Sequence, residues 1–248
     1  MIKIGIYDSG CGGFSVLNHL LNSGFTGEIF YYGDTKNNPW GNKSKKDLAK
    51  ILTEIADWFK AHDVNTIISG CNTTVGVFKN DLTSIFGTNV MNILENTEHH
   101  YHASSYSVLL TENSHKNKLF SQFLSNKEIQ EVSCPNLANL IEENNTEDAI
   151  QIAKTFVNQC IHPNIILGCT HYPLILDELA IHFPSKAFID PAVFFNLNKH
   201  SNKTKPTIKF KTSGNESQFQ KVIDNHLPLI TYSLNNIHYK KEEKLTIK

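Results

Sequence analysis

The sequence lacks what would place it in a membrane, on a polyanion or in an oxidising compartment. No apolar run reaches the length of a bilayer-spanning helix, so no membrane partner is expected. Lys and Arg total 23 against 24 Asp and Glu, a net charge of -1, and that balance offers no field for nucleic acid. The five cysteines (11, 71, 134, 160 and 169) are odd in number, widely spaced and free of any CxxC pair. That pattern argues against a disulfide scaffold or structural zinc and for free thiols in a reducing cytoplasm. The chain opens on the strand-like run Ile2 to Tyr7 with no secretory leader, which gives the same expectation. Neither a P-loop nor a GxGxxG fingerprint occurs. No lysine stands in a Schiff-base context and no metal frame is visible, so neither cofactor nor metal is expected.

What the chain does have is 248 residues, 40% of them hydrophobic, enough to bury one large core or two small ones. The first phrase to stand out is Ile165-Ile166-Leu167-Gly168-Cys169-Thr170-His171-Tyr172-Pro173. A short apolar run ends at glycine and delivers a cysteine, so it reads as a buried strand opening into a turn. In open α/β sheets that end of a strand is where ligands bind. The phrase has an earlier copy, Ile67-Ile68-Ser69-Gly70-Cys71-Asn72-Thr73. A single copy would read as an inert buried cysteine. Two copies trailed by matched small polar residues favour paired reactive thiols facing one pocket.

Ahead of these, Lys3 to Leu17 reads as strand, glycine-rich turn and helix, with Asp8 at the strand end and Cys11 inside the turn. Asp8 suits either a proton transfer or a turn-capping carboxylate, and Cys11 reads as incidental. Ile29 to Tyr32 is a strand that runs into a loop, Gly33 to Ser44, with a tight bend at Pro39-Trp40-Gly41. Leu48, Ile51, Leu52, Ile55, Trp58 and Phe59 recur at helical spacing, predicting a helix over Lys45–His62. A strand over Thr66–Ser69 and a helix over Thr73–Phe86 would place Cys71 at a helix N-terminus, which favours a thiolate. His99, His100 and His102 lack a carboxylate or cysteine frame and read as a solvated face. Ser107–Leu110 reads as a strand followed by a helix, and Leu137–Glu143 carries Glu142, by itself a surface acid. Glu147–Gln159 is amphipathic, Ala187–Ile189 and Ile208–Thr212 are strands, and Ser217–His226 is a helix. Asn196–Pro206 reads as an exposed linker and the charged tail from Lys240 as frayed. Alternating strands and helices predict a parallel α/β fold, with two similar domains facing each other across a cleft.

Two thiols across a small pocket suit proton chemistry at carbon. One thiolate removes a proton from one face of a stereocentre while the opposite thiol delivers one to the other. Free cysteine titrates near ~8.5, so bringing it to about 7 takes roughly 2 kcal/mol of differential stabilisation. Asn72, Thr73, Ser9, Thr170 and the turn amides are candidate donors to the developing carbanion.

Five short motifs agree in sequence and spacing with one family: Asp8-Ser9-Gly10-x-Gly12-Gly13, Gly33-Asp34-Thr35, Pro39-Trp40-Gly41-Asn42-Lys43-Ser44, Cys71-Asn72-Thr73 and Gly168-Cys169-Thr170-His171-Tyr172-Pro173. Together with Cys134-Pro135, Leu140-Ile141-Glu142 and Thr212-Ser213-Gly214 they resemble bacterial glutamate racemase from about Ile2 to about Leu227. The resemblance implies a cofactor-independent amino-acid racemase that supplies D-glutamate for peptidoglycan, cytoplasmic and homodimeric. It implies a first α/β domain, residues 1–95 with 207–248, carrying Asp8 and Cys71. The second, residues 96–206, would carry Glu142, Cys169 and His171. Cys71 and Cys169 match the two bases, Asp8 the acid beside the first, and Glu142 with His171 the groups assisting the second. Ser9, Asn72, Thr73 and Thr170 match substrate-binding positions, with Pro39, Trp40 and Gly41 in the loop that closes over L- or D-glutamate. Three places depart from the family: Trp40 stands for a usual Tyr, Glu95-Asn96 for Glu-Pro, and Thr111-Glu112-Asn113-Ser114 for a Thr-x-Gly-Thr turn. The alternatives are a racemase of aspartate or another acidic amino acid, a non-catalytic binding paralogue, and a thiol hydrolase using Cys169 and His171. The hydrolase would leave Cys71 without a role.

Overall fold

A computed structural model describes residues 2–78, 81–95, 97–195, 197, 206–227, 231–235 and 237–240. Most of the expected linker, the tail beyond Lys240, and Asn96 of one family departure lie outside the described residues.

The strands form because short β-rich apolar runs are buried on both faces, as parallel strands require. β1 (Lys3–Asp8), β2 (Glu28–Gly33), β3 (Thr66–Ser69) and β4 (Val90–Asn92) pair in the order β2-β1-β3-β4. Further along, β5 (Ser105–Leu110), β6 (Glu128–Ser133), β7 (Asn164–Leu167) and β8 (Ala187–Ile189) form a second sheet in the order β6-β5-β7-β8. Counted within each half, both orders are 2-1-3-4, so the repeated cysteine phrase sits in a repeated topology. The late strands β9 (Thr207–Thr212), β10 (Thr231–Leu234) and β11 (Ile237–Lys240) extend the first sheet beyond β2. All neighbours are parallel except the edge pair β10 and β11.

Helices cover these sheets. α1 (Phe14–Asn22) follows the glycine turn and buries Phe14, Val16, Leu17 and Leu20. α2 (Lys45–Ala61) starts where the Ser44 side chain accepts from the Asp47 amide, and it buries Leu48, Leu52, Ile55 and Phe59 against the first sheet. The helix expected over Thr73–Phe86 is two, α3 (Asn72–Phe78) and α4 (Leu82–Phe86). Phe78, Leu82 and Phe86 are all buried, so the apolar positions continue from α3 into α4 and periodicity cannot separate the two. The segment after β5 is likewise divided into α5 (Glu112–Lys116) and α6 (Leu119–Phe123), with Lys118 between them in the left-handed region at φ 49°. α7 (Leu137–Glu142) ends on Glu142, while α8 (Thr146–Val157), α9 (Leu176–His182) and α10 (Glu216–His226) complete the layers. Among the described residues no helix is long and apolar enough to cross a membrane.

Candidate active site

In a 2-1-3-4 sheet the direction of chain progression reverses between the first and third strands, and ligands bind in the crevice at their carboxyl ends. Here β1 ends at Asp8 and β3 runs through Gly70 to Cys71; in the second sheet β5 leads to Thr111 and β7 through Gly168 to Cys169. The glycine before each cysteine has the same job. Gly70 donates its amide to Tyr7 O at 2.8 Å and Gly168 to Leu109 O at 2.9 Å. A Cβ would stand 2.9 Å from those same carbonyl oxygens, so each turn hugs the neighbouring strand too closely for a side chain.

The two cysteine turns are tied together. Asn72 Nδ2 donates to Gly168 O across the crevice at 3.0 Å, and the Thr73 and Thr111 hydroxyls meet at 3.2 Å. Cys71 and Cys169 both line one cavity of about 80 Å³. So do Ser9, Pro39, Trp40, Gly41, Asn72, Thr73, Thr170 and His171, all named from the sequence. Asp8 and Glu142 do not line it; they stand behind the lining residues. Thr111, Ser114, Cys134, Asn136 and Asn139 also face the cavity and were not singled out as site residues. Thr111 and Ser114 belong to the turn noted as a family departure and Cys134 to a noted family segment, while Asn136 and Asn139 carry no signal beyond their position just past the end of β6. The histidine cluster lies elsewhere: His99, His100 and His102 are exposed, and the His100 ring stacks on Phe194 at 4.9 Å.

Behind Cys71, Asp8 is fully buried. Its carboxylate accepts from the Gly10 amide at 2.9 Å and from the Thr170 hydroxyl at 3.3 Å, so it caps its own turn and also reaches the second half. Burial raises its pKa to about 6 against the lowering effect of His171. Burial, with the Asp8 charge adding to it, pushes the Cys71 thiol up to about 12.

Behind Cys169 the arrangement differs. Cys169 Sγ lies 3.8 Å from His171 Nδ1, and His171 Nε2 lies 3.0 Å from Glu142 Oε2. Glu142 also accepts from the Cys11 amide at 2.7 Å. Burial alone would raise Glu142, but the His171 hydrogen bond and charge and the Cys11 amide outweigh it and leave it lowered. Burial likewise opposes a charged His171, yet its hydrogen bonds to Cys11, Cys169 and Glu142 hold it well above its usual range. Both shifts favour the charged forms, imidazolium against carboxylate, and His171 Nδ1 is the atom turned towards the Cys169 sulfur. The glycine turn makes room for it, since a Cβ at Gly10 would overlap the Glu142 carboxylate and one at Gly12 the His171 ring. Cys11, which reads as incidental in the sequence, is therefore fully buried inside this network.

The short 3-10 turn Trp40–Asn42 contributes to the cavity lining. Trp40 is buried, its Nε1 donates to Asp34 Oδ2 at 2.9 Å, and Asp34 is held in turn by Ser213 at 2.6 Å. The departure at Trp40 thus exchanges a hydroxyl for an indole N–H anchored on a buried carboxylate.

No family model matches the chain. It is 31% identical over 207 residues to the glutamate racemase of Fusobacterium nucleatum, covering 77% of each chain. It is 30% identical over 240 residues to the glutamate racemase of Prochlorococcus marinus, covering 88% of this chain and 90% of that one. Among solved structures, glutamate racemase from Campylobacter jejuni superposes with a TM-score of 0.77 at 25% identity, over 90% of this chain and 97% of that one.

Proposed function

The chain belongs to the glutamate racemase family, and from that premise we propose how its residues interconvert L- and D-glutamate. The observation that carries the reading is that Cys71 and Cys169, from equivalent turns of two like sheets, line one small cavity. Cys169, facing the His171 imidazolium, removes the α-proton of L-glutamate as a thiolate. Cys71, a buried thiol held protonated at rest, delivers its own proton to the opposite face and gives D-glutamate. In the reverse direction Cys71 is the base, and Cys169, having taken a proton from the His171 imidazolium beside it, is the thiol that delivers one to the opposite face. The Cys71 proton goes first to Asp8, whose raised pKa makes it a stronger base than an ordinary carboxylate. That transfer is uphill, and the entering substrate ammonium makes it less so by adding positive charge beside the thiol.

The carbanion spreads charge onto the substrate carboxylate. Hydroxyl and amide groups of Ser9, Asn72, Thr73 and Thr170 are the prearranged donors, with Pro39, Trp40 and Gly41 closing the mouth. Asn72 Oδ1 is buried with no hydrogen-bond partner among the described residues, which suits it to accept from the substrate ammonium. Around this site we assign residues 1–95 with 207–248 to one domain and 96–206 to the other. We further place the protein in the cytoplasm as a homodimer supplying D-glutamate for peptidoglycan, without a cofactor. The deciding experiment is polarimetry on the purified protein with both enantiomers of glutamate and of aspartate. Racemisation of glutamate without added pyridoxal phosphate or metal is the expected result. Turnover of aspartate alone overturns the substrate, and no turnover of either overturns the activity.

A further inference from the structure

Beneath the cavity, the Cys11 sulfur, a Glu142 carboxylate oxygen and a His171 ring nitrogen lie within 4.8 Å of one another. Cys11 is fully buried, His171 is 3% exposed and Glu142 9%. Thiolate, imidazole and carboxylate are the donor types that zinc selects, at about 2.0–2.3 Å, and three protein ligands leave a fourth position for water. We propose that these three side chains form a site for zinc, and that occupying it arrests the enzyme.

Three observations support it besides the cluster itself. First, the three residues already converge on one point: Glu142 Oε2 lies 3.0 Å from His171 Nε2 and 2.7 Å from the Cys11 amide nitrogen. Second, one of the three ligands faces a second cleft. Glu142 also lines a separate cleft of about 400 Å³ beside α10, together with Glu143, Asn144, Gln218, Lys221 and Asp224. Carboxylates outnumber lysine there, which draws a cation towards Glu142 without passage through the substrate cavity. Third, the donors converge from different elements: Cys11 from the glycine turn, Glu142 from the end of α7 and His171 from the turn after β7. The loop between Gly10 and Gly12 brings backbone close to both other ligands, so the contraction to a tetrahedral edge of about 3.5 Å is a movement of roughly an ångström.

Arrest follows because the ion takes His171 and Glu142 from each other. His171, whose Nδ1 lies 3.8 Å from the Cys169 sulfur, is then held by the ion and no longer free to pass a proton to that sulfur. This consequence, unlike the binding itself, rests on the roles assigned above.

The test uses the full, reduced protein and cobalt(II) as an optical probe. One equivalent should bind with a thiolate-to-cobalt charge-transfer band and tetrahedral visible bands, and saturating glutamate should not displace it. Cys11→Val should lose the charge-transfer band and weaken cobalt binding at least about tenfold. The Cys71→Ser, Cys169→Ser double variant should keep both. Zinc should inhibit racemisation reversibly to chelator, and Cys11→Val should be at least about tenfold less sensitive relative to its own metal-free rate. A band that survives in Cys11→Val and vanishes in the double variant overturns the proposal, because the metal then sits on the facing thiols. Displacement of cobalt by glutamate from the unmodified protein overturns it as well, and needs no variant to fold. Cobalt bound through Cys11 with full racemase activity would leave the site standing and sink the role given to His171 and Glu142.

Discussion

Cys71 and Cys169 occupy equivalent places in two like sheets, yet their surroundings are not equivalent. One thiol lies near a carboxylate, Asp8, and the other beside an imidazolium, His171. If each serves one face of the substrate, replacing either by serine stops full racemisation by a factor of at least about 10². The remaining thiol still abstracts the proton it faces. With an analogue whose β substituent leaves when the carbanion forms, Cys71→Ser should eliminate from the L form and Cys169→Ser from the D form. Equal loss on both enantiomers in both variants would mean that the thiols act as one unit. Asp8 gives a second prediction at this scale. It must be a carboxylate to receive the Cys71 proton, and its pKa is about 6. In the D-to-L direction kcat/KM should therefore fall as pH drops through about 6, and Asp8→Asn should flatten that acid limb along with lowering the rate. An unchanged limb in Asp8→Asn assigns it to another group.

Turns and helix breaks decide what the residues can reach. Gly168 is the clearest case, with Leu109 O 2.9 Å and Leu110 Cδ2 2.5 Å from where a Cβ would go. Gly168→Ala should cost about 1–3 kcal/mol, read as a lower urea midpoint at unchanged m-value. Gly41, whose Cβ would meet Thr111 Cβ at an ordinary 3.5 Å, makes the comparison: Gly41→Ala should move that midpoint little. The strand-glycine-cysteine turns were legible in the sequence because an apolar run ending in glycine is a local signal. The same holds for α2, whose cap and apolar stripe are both local. Cys11 was not legible, because Glu142 is 131 positions away and no local pattern joins them. The break between α3 and α4 and the three-residue strand β4 were missed for a related reason. The first lies where buried apolar positions continue from one helix into the next, and the second is an edge strand that stays half-buried. His171 is legible from its place two residues past a strand-end cysteine, whereas Glu142 is legible only through the motif resemblance, since spacing alone makes it a surface acid.

At the scale of the molecule, the two like halves meet through polar groups at the crevice: Asn72 on Gly168, Thr170 on Asp8, the Cys11 amide on Glu142. Burying Asp8 there is unfavourable for the fold. Its folded pKa of about 6 lies above the ordinary aspartate value of 3.8, so the folded chain holds that proton more tightly than the unfolded one. A raised acid contributes most to stability below the unfolded pKa, and the contribution is lost as pH rises through the folded pKa. The window is therefore about pH 4 to 6, and above it the charged Asp8 costs about 3 kcal/mol. Asparagine keeps the side-chain oxygen that accepts from the Gly10 amide and an amide group within reach of the Thr170 hydroxyl, but it cannot ionise. Asp8→Asn should then be more stable than the unmodified protein at pH 7.5, by up to about 3 kcal/mol, and no more stable at pH 4. Urea unfolding at the two pH values checks this. A gain of equal size at both would mean that relief of packing, not of buried charge, is responsible. A loss at pH 7.5 would mean that the Asp8 charge holds the halves together, and the raised pKa would then be wrong in sign.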